Sequence, residues 1–298
     1  MKSSAVPQID SAFATAVRSL LVPLTRWRHT FCAHSESAED ARQNLMLRKT
    51  QVKTFPTLQS GERTNAAGKP VSNKILLSVP NDEYRAIRPC LEHLSLPSHL
   101  TLHEPSEKLE YVYFPNGGLV SLIVPMKDGQ SVEAGVVGSE GAAGVPIVVG
   151  LVRSPVREIV QISGDGFKLR TSAMQEILKS IPQFQMTLTR YAVVQGMQVA
   201  QTVACNRLHR IEQRLARWLL MAQDRVDSGL VAMTHDFLAT MLGTNRPTVS
   251  SAAALLQKRK AIEYVRGAVR IVSRRRLEAS SCECYGVIQQ FNSELGLK

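Results

Sequence analysis

The sequence predicts an α+β protein in which an N-terminal β-roll of the jelly-roll type is joined by a long helix to a winged helix-turn-helix. Three observations support this architecture. Short strand and turn signals alternate through residues 96–169, an apolar seam at helical spacing runs through residues 193–218, and a two-helix pattern followed by a hairpin occupies residues 234–272. Each pattern has the period of its element, about two residues for strands and about 3.6 for helices.

These signals divide the chain into five predicted segments. Polar and charged residues dominate residues 59–70, as is typical of chain that lacks a packed core. Apolar residues at helical spacing in residues 73–95, interrupted at Pro80, predict helix before the strands begin. The predicted segments are a poorly structured basic extension at 1–72, the β-roll at 73–185, a dimerisation helix at 186–227, the winged helix-turn-helix at 228–285 and a C-terminal tail at 286–298.

The β-roll is predicted from short β-branched and aromatic runs separated by turns. The run Tyr111-Val112-Tyr113-Phe114 is followed by the turn Pro115-Asn116-Gly117-Gly118. Asp128-Gly129 lies between two apolar runs, and this dipeptide favours a tight hairpin because both residues tolerate positive φ. Several short strands at intervals of roughly 8–12 residues indicate a β-barrel or roll.

The apolar seam continues for about seven helical turns, with successive residues three or four positions apart. Polar side chains occupy the other faces, which favours pairing of this helix with a second copy of the chain. The alternative is a helix that packs on its own domain. The residues expected at the dimer interface are Val193, Met197, Ala200, Ala204 and Leu208.

Residues 234–257 have the local chemistry of a helix-turn-helix. The hydroxyl of Thr234 can cap a first helix, and Gly243 follows that helix where a left-handed conformation ends it. Asn245 can cap the second helix, and Pro247 lies in its first turn, where no amide donor is needed. A pair of structural helices is the alternative interpretation.

The second helix leaves polar side chains on its outer face at the N-terminal end, the end that enters the major groove in a helix-turn-helix. The residues expected to contact bases are Arg246, Thr248, Ser250 and Ser251. Residues 261–272 predict a hairpin that could serve as a wing. The residues expected to contact phosphates are Thr244, Asn245, Lys258, Arg266, Arg270 and Arg275.

Charge is distributed unevenly along the chain, whose net charge is +11. Residues 200–276 carry fourteen Lys and Arg against five Asp and Glu, whereas residues 71–199 carry eleven against twelve. A basic excess confined to one segment is typical of a nucleic-acid-binding module. A merely solvated basic face is the alternative.

The five cysteines are odd in number and mostly far apart, which disfavours a disulfide scaffold and suits a reducing compartment. No apolar run approaches the ~18–20 residues of a membrane span. We therefore expect a cytoplasmic protein with no membrane partner. Cys282 and Cys284 are interpreted as ordinary helix residues, and no metal site is expected.

The chain resembles the Crp/Fnr family, the regulators related to cyclic-AMP receptor protein, over roughly residues 73–285. The order of a cyclic-nucleotide-binding-like β-roll, a long dimer helix and a winged helix-turn-helix is the same. The phrases that carry the resemblance are Phe237-Leu238-Ala239, Leu242-Gly243, Arg246-Pro247-Thr248-Val249-Ser250 and the β-roll motifs Tyr113-Phe114-Pro115-Asn116-Gly117-Gly118, Asp128-Gly129 and Gly138-Ser139-Glu140-Gly141.

The resemblance implies a phosphate-binding cassette, and the sequence departs from it. Residues that would form an effector pocket are Glu140, Arg153, Ser154 and Arg157. If Arg157 takes the family's Arg position, Glu158 follows it and would repel a phosphate. If Arg153 takes it, Ser154 fits, but the strand register shifts by four residues. These departures disfavour a cyclic nucleotide, and no cofactor is expected. Cys32 alone lies in the N-terminal region, which disfavours an iron–sulfur cluster.

The second helix of the motif departs from the family as well. Pro247 stands where many members have a Glu that accepts from cytosine, and Ser251 stands where an Arg often contacts a base. Arg246 is retained. Lys260 or Ala261 takes the place of the family's turn Gly after this helix. The operator is therefore expected to differ from the family's best-known one.

These observations predict a sequence-specific DNA-binding transcription regulator, a homodimer whose half-sites on double-stranded DNA are about one helical turn apart. No enzymatic activity is expected, and RNA polymerase would be a further partner if the protein activates transcription. Two alternatives are a dimeric scaffold that does not bind DNA and a cupin-like metal enzyme. The enzyme would need converging His ligands, for which the candidates are His93, His99 and His103.

Overall fold

A computed structural model describes residues 58–226, 229–265 and 267–297. The predictions for residues 1–57 and for Arg266 lie outside the described residues. The described part has the predicted α+β architecture of a β-roll followed by helices and a winged helix-turn-helix. None of its helices is both long enough and apolar enough to cross a membrane.

The β-roll consists of two antiparallel sheets. One contains β3 (Glu92–Leu96), β9 (Gly164–Arg170) and β5 (Tyr111–Pro115) in that order. The other contains β4 (Thr101–His103), β8 (Arg157–Ile162), β6 (Leu119–Pro125) and β7 (Ser131–Val137) in that order. An apolar cluster that includes Leu96 of the first sheet and Val120 of the second joins them. Gly129 turns the β6–β7 hairpin with a φ of 85°, as its Asp-Gly pair predicts.

The helical prediction for residues 73–95 holds only for the first part of that segment. Helices α1 (Lys74–Ser78) and α2 (Asn81–Ile87) flank Pro80, and a 3-10 turn (Arg88–Cys90) follows. The next residues form β3, which pairs with β9. Short apolar runs fit either period, and here the pairing with a distant strand decides between them.

The predicted basic extension ends earlier than residue 72. Strands β1 (Arg63–Thr64) and β2 (Pro70–Val71) form a hairpin. The buried guanidinium of Arg63 donates to the carbonyls of Leu76 and Val79 at 2.5 and 2.6 Å, at the C-terminal end of α1. These carbonyls would otherwise lack partners, so the hairpin is held by a helix end as well as by Val71, which is buried in the apolar core.

The predicted dimerisation helix at 186–227 is two helices. After α3 (Thr171–Ser180), α4 (Pro182–Leu208) ends at His209, whose backbone is extended, and α5 (Ile211–Val226) follows. The five predicted interface residues, from Val193 to Leu208, are all exposed on α4. The seam beyond Leu208 belongs to α5 and is buried against the winged helix-turn-helix. The spacing continues across the break, but the two parts face different partners.

The C-terminal part contains a three-stranded sheet and four helices. Their bounds are β10 (Leu230–Val231), α6 (His235–Met241), α7 (Arg246–Lys258), β11 (Ile262–Val265), β12 (Ala268–Ile271), α8 (Arg274–Glu278) and α9 (Cys284–Glu294). Helix α9 packs on α4 and α5, and Leu297 is buried in the core of the roll, so the predicted tail at 286–298 is wrong. Cys282 and Cys284 are buried with Cys205.

Two buried polar contacts connect the β-roll to α5. The Trp218 indole donates to Glu133 Oε1 at 2.7 Å, and the Ser121 hydroxyl donates to Glu133 Oε2 at 2.5 Å. The Arg225 guanidinium lies 2.7 Å from Glu140 Oε1. Burial raises the pKa of Glu133 to about 7, although its two hydrogen bonds oppose this rise.

Two glycines make this junction close. A Cβ at Gly141 would lie 2.0 Å from the Tyr191 hydroxyl, and a Cβ at Gly138 would lie 2.6 Å from Cγ of Arg225. Both distances are far below any tolerable contact. The Gly138-Ser139-Glu140-Gly141 segment therefore has a packing role, in which it admits side chains from α4 and α5.

We expect Glu133→Gln to remove a pH dependence of stability. The pKa of Glu133 is 4.5 when unfolded and about 7 when folded, so the folded state binds more protons between these values. The free energy of unfolding therefore falls as pH rises through this range, by up to about 1.4 kcal/mol per pH unit. Glutamine keeps a hydrogen-bonding group without ionising.

Denaturant unfolding from pH 4.5 to 8 measures this effect as the difference between the two proteins. The stability of Glu133→Gln should rise relative to the parent as pH increases. The exposed Glu176 supplies the matched control, Glu176→Gln, which should follow the parent. A constant difference between Glu133→Gln and the parent across this range would contradict the assignment.

Candidate nucleic-acid interface

The helix-turn-helix is bounded by the predicted caps. The Thr234 side chain accepts from the Phe237 amide at 3.2 Å at the start of α6. Gly243 follows α6 with a φ of +57°, in the left-handed region. The Asn245 side chain accepts from the Thr248 amide at 2.9 Å and starts α7. These local signals fix both helix boundaries and the turn between them.

Helix α7 has one buried and one exposed face. The buried residues are Val249, Ala252, Ala253 and Leu256, which pack with α5 and α6. The exposed residues are Arg246, Pro247, Ser251, Ala254, Leu255, Gln257 and Lys258. The outer face is thus free of intramolecular packing at the N-terminal end of the helix, where base contacts are made in this motif.

The four predicted base-contacting residues are not equivalent. Arg246 is 65% exposed and its guanidinium lies 3.2 Å from Asp236, which leaves donors free. Ser251 is exposed. The Thr248 hydroxyl is bonded to the Asn245 side chain at 2.7 Å, and the Ser250 hydroxyl lies 2.9 Å from Nδ1 of His235. Ser250 therefore faces α6, which makes its prediction as an outward-facing residue wrong.

His235 is a residue that the sequence did not single out. Its ring lies against Tyr264 of the wing with centroids 4.1 Å apart, so it connects α6, α7 and the wing. Burial and the nearby Arg246 charge lower the pKa of His235, which favours the neutral ring. The periodicity of α6 does not reveal this role of His235, because the partners of His235 lie on α7 and on the wing.

The wing forms as predicted. Strand β12 pairs with β11 on one side and β10 on the other. The predicted phosphate contacts Lys258, Arg270 and Arg275 are exposed, and Thr244 is half-buried in the turn. Arg270 lies 3.8 Å from Glu263. The described cations thus lie on the surface of the same unit as the exposed end of α7.

The end of α7 contains a strained residue. Lys260 has a φ of +54°, and its amide donates to the Gln257 carbonyl at 2.8 Å. The Crp/Fnr family, which the sequence resembles, has a glycine in this turn. The backbone of Lys260 adopts the left-handed conformation at a cost, because the lysine Cβ approaches the following carbonyl.

The predicted effector pocket does not assemble from its four residues. Glu140 pairs with Arg225 at the junction with α5, whereas Arg157 pairs with Glu104 at 2.9 Å. Arg153 donates to the Ser106 carbonyl, and Ser154 is buried beside it, where its hydroxyl accepts from the Val156 amide. The prediction of one pocket is therefore wrong, since Glu140 is used for packing.

A cleft of about 460 Å³ lies beside Arg153 on the β-roll. Its lining includes the carboxylates of Glu104, Glu107 and Glu110 together with Lys108 and Arg153. Glu104 is already paired with Arg157, and the remaining lining residues Glu107 and Glu110 balance Lys108 and Arg153, so the cleft has no cationic excess that would favour a phosphate. The cleft therefore lacks the electrostatics of a cyclic-phosphate site.

The candidate ligands of a cupin-like centre do not converge. His103 Nδ1 lies 2.6 Å from the buried Glu158, in the sheet that contains β4 and β8. His93 Nε2 lies 2.9 Å from Asp165, in the other sheet of the roll. His99 is in a turn with a φ of 69°. Among the described residues, the one group with metal-ligand spacing contains none of these three histidines.

A family model described as the Crp-like helix-turn-helix domain matches residues 213–280. This span begins in α5 and ends after α8, so it contains both helices of the motif and the wing. The match shows a DNA-binding domain in this part of the chain. A search of curated protein sequences found no match.

Solved structures of bacterial regulators share the fold. FixK2 from Bradyrhizobium japonicum is 17% identical with a TM-score of 0.56, and the match covers 64% of this chain and 98% of FixK2. The c-di-GMP responsive regulator CLP from Xanthomonas campestris is 12% identical with a TM-score of 0.55, covering 65% and 100%. A CRP-family transcriptional regulator from Thermus thermophilus is 20% identical with a TM-score of 0.51, covering 63% and 96%.

We expect Lys260→Gly to stabilise the protein. Glycine adopts positive φ without strain, and the gain should exceed its larger unfolded-state entropy by about 0.5–1 kcal/mol. Lys258→Gly is the matched control, because Lys258 ends α7 and glycine within a helix costs about 1 kcal/mol. Chemical denaturation at fixed pH measures both changes. A loss of stability in Lys260→Gly would show that the side chain makes compensating contacts.

Proposed function

We propose that this chain, a DNA-binding transcription regulator of the Crp/Fnr type, acts as a homodimer on a two-fold symmetric operator. The observation that carries the proposal is the exposed N-terminal end of α7 beside a basic wing, within the span that matches the Crp-like domain. Pull-down of genomic DNA with the purified protein tests it. An enriched two-fold sequence motif supports the proposal, and its absence favours a scaffold that does not bind DNA.

Base recognition is assigned to the exposed residues at the start of α7. Arg246 presents a planar fork of donors that matches O6 and N7 of guanine. Ser251 lies five residues further along the helix and can donate to or accept from a base edge. Ala254, exposed on the same side, offers a small apolar contact for a thymine methyl group. Pro247 contributes no hydrogen bond, which distinguishes this operator from one recognised through a Glu at that position.

Phosphate contacts are assigned to the turn before α7 and to exposed cations of α7, the wing and α8. Three such cations are Lys258 at the end of α7, Arg270 on β12 and Arg275 on α8, and none is buried in an ion pair. Contacts of this type position the protein on DNA and make affinity depend on salt. Arg274 is excluded from this role, because it lies 2.8 Å from Asp224 and 2.9 Å from Glu278.

Homodimerisation is supported by the exposed face of α4. Val193 is 55% exposed, Met197 43% and Leu208 76%, at positions that share one side of the helix. A helix face this apolar is usually covered, since each buried methylene contributes about 0.8 kcal/mol. The α4 helix of a second copy of the chain has the same length and the same apolar face, so the two helices can bury these side chains against each other. The two α7 helices of a dimer would then enter successive major grooves about 34 Å apart.

The β-roll is assigned an effector or structural role without a cyclic nucleotide. Its cleft has no cationic excess, and Glu140 is used by Arg225; both features oppose a bound cyclic phosphate. Titration of the operator complex with cyclic AMP should leave the affinity unchanged. No enzymatic step and no membrane association are part of the proposal.

We expect Arg246→Ala to weaken operator binding by about 1–3 kcal/mol and to relax base preference. Arg275→Ala should weaken binding to all DNA similarly and flatten the salt slope by about one. Fluorescence anisotropy on the operator and on scrambled DNA, at two salt concentrations, separates these effects. Arg85→Ala is the control, because Arg85 is exposed on α2 of the β-roll. If Arg246→Ala left the base preference unchanged, the assignment of base recognition to the start of α7 would be wrong.

We expect Met197→Glu to convert the dimer to a monomer, because two carboxylates would face each other across the seam. Sedimentation equilibrium measures the mass, and operator affinity should fall as half-site binding replaces binding of the whole site. Met126→Glu is the control, since Met126 is 59% exposed near the β6–β7 turn. A dimeric Met197→Glu protein would place the interface elsewhere.

A further inference from the structure

Three cysteines and a histidine converge where α4 ends. Cys205 lies in the last turn of α4 and His209 directly follows it, whereas Cys284 is the first residue of α9 and Cys282 precedes that helix. One potential ligand atom from each residue lies within 4.8 Å of all the others. The three cysteines are buried, and the histidine side chain is mostly so. The cluster lies outside the DNA-contacting surface.

The distances within the cluster suit a single tetrahedral ion. Cys205 Sγ and Cys282 Sγ are 3.5 Å apart, and Cys284 Sγ lies 3.5 Å from Nδ1 of His209. Zinc bonds of about 2.3 Å to sulfur and about 2.0 Å to nitrogen place tetrahedral ligands roughly 3.5–3.8 Å apart. The other pairs of ligand atoms lie within 4.8 Å, so a contraction of the cluster brings the four atoms around one metal. We propose that these four residues bind a structural Zn²⁺.

The surroundings of the cluster are those of a metal site. Nε2 of His209 lies 3.3 Å from Oε1 of Glu283, so the ring nitrogen opposite Nδ1 faces a carboxylate. Such a carboxylate orients a ligating histidine and fixes its tautomer. The Gln201 amide donates to Cys284 Sγ at 3.1 Å, as expected for a residue that stabilises a thiolate. A disulfide between Cys205 and Cys282 would use neither feature.

Charge balance also favours a bound cation. Three thiolates, a neutral histidine and Zn²⁺ carry a net charge of −1. The Arg214 and Arg217 guanidinium groups lie within electrostatic range of Cys205 and can offset this charge. Binding releases the three thiol protons to solvent and transfers no electrons. The set of three cysteines and one histidine is one that structural zinc sites use.

The position of the site gives it a mechanical consequence. His209 is the residue at which α4 ends, and Ile211 begins α5. A metal bound there fixes this break and ties it to the segment after α8, so it holds the helix-turn-helix unit relative to α4. The proposal replaces the expectation of no metal. Two features of the sequence point to this metal site: the Cys-x3-His spacing at Cys205 and the Cys-x-Cys pair that begins at Cys282. The two motifs begin 77 residues apart in the chain, so their proximity appears only in the folded structure.

Metal analysis of the full chain tests the proposal. Protein purified under reducing conditions without chelator should contain about one zinc per chain by mass spectrometry of its metals. The double variant Cys282→Ser/Cys284→Ser should lose it. Cys90→Ser is the matched control, because Cys90 is a free cysteine of the β-roll outside the cluster, and it should retain full loading.

A second measurement uses the unaltered chain, so that misfolding of the variant cannot decide the result. Protein stripped by chelator under reducing conditions should rebind Co²⁺ with the absorption bands of tetrahedral thiolate coordination. It should also release protons on binding. Absence of zinc together with absence of these bands would overturn the proposal. Full zinc content in the double variant, or a Cys205–Cys282 disulfide in protein free of metal, would overturn it as well.

Discussion

The buried contact between the β-roll and α5 is the constraint on which the arrangement of the described chain depends. Trp218 and Arg225 project from α5 to Glu133 and Glu140 of the roll. Because α7 packs on α5, this contact contributes, together with the packing of α6 on β7, to where α7 lies relative to the roll. A buried ion pair adds little net stability, but removing one partner of such a pair costs about 3–5 kcal/mol. The Glu140–Arg225 pair therefore acts mainly by excluding other arrangements of α5.

The break at His209 divides the apolar seam into an exposed part on α4 and a buried part on α5. Residues of α4 keep their apolar side chains exposed, whereas the residues that continue the same spacing in α5 form the core of the DNA-binding unit. A straight helix would have directed both sets to the same partner. Because the backbone turns at the break, apolar side chains of α4 remain exposed while α5 packs within its own chain.

Local chemistry made the helix-turn-helix predictable, and long-range contacts explain the errors. The caps at Thr234 and Asn245 and the left-handed Gly243 depend on neighbours within a few residues, so the sequence indicated them correctly. The hairpin of β1 and β2, which Arg63 holds in place, could not be predicted from composition, because the partners of Arg63 are distant backbone carbonyls such as that of Leu76 in α1. Likewise, Ser250 was misplaced because its partner, His235, lies on the preceding helix. In each case burial or pairing by a distant element overrides composition or periodicity.

The same physical reasoning explains why a motif that resembles a ligand cassette need not bind that ligand. Gly138 and Gly141 are required because Arg225 and Tyr191 occupy the space that their side chains would fill. Glu140, between them, accepts from Arg225, and it therefore connects the roll to α5 through its own charge. A molecule that bound near this segment would compete with Arg225 for the carboxylate. The segment is therefore explained by the attachment of α4 and α5 to the roll alone.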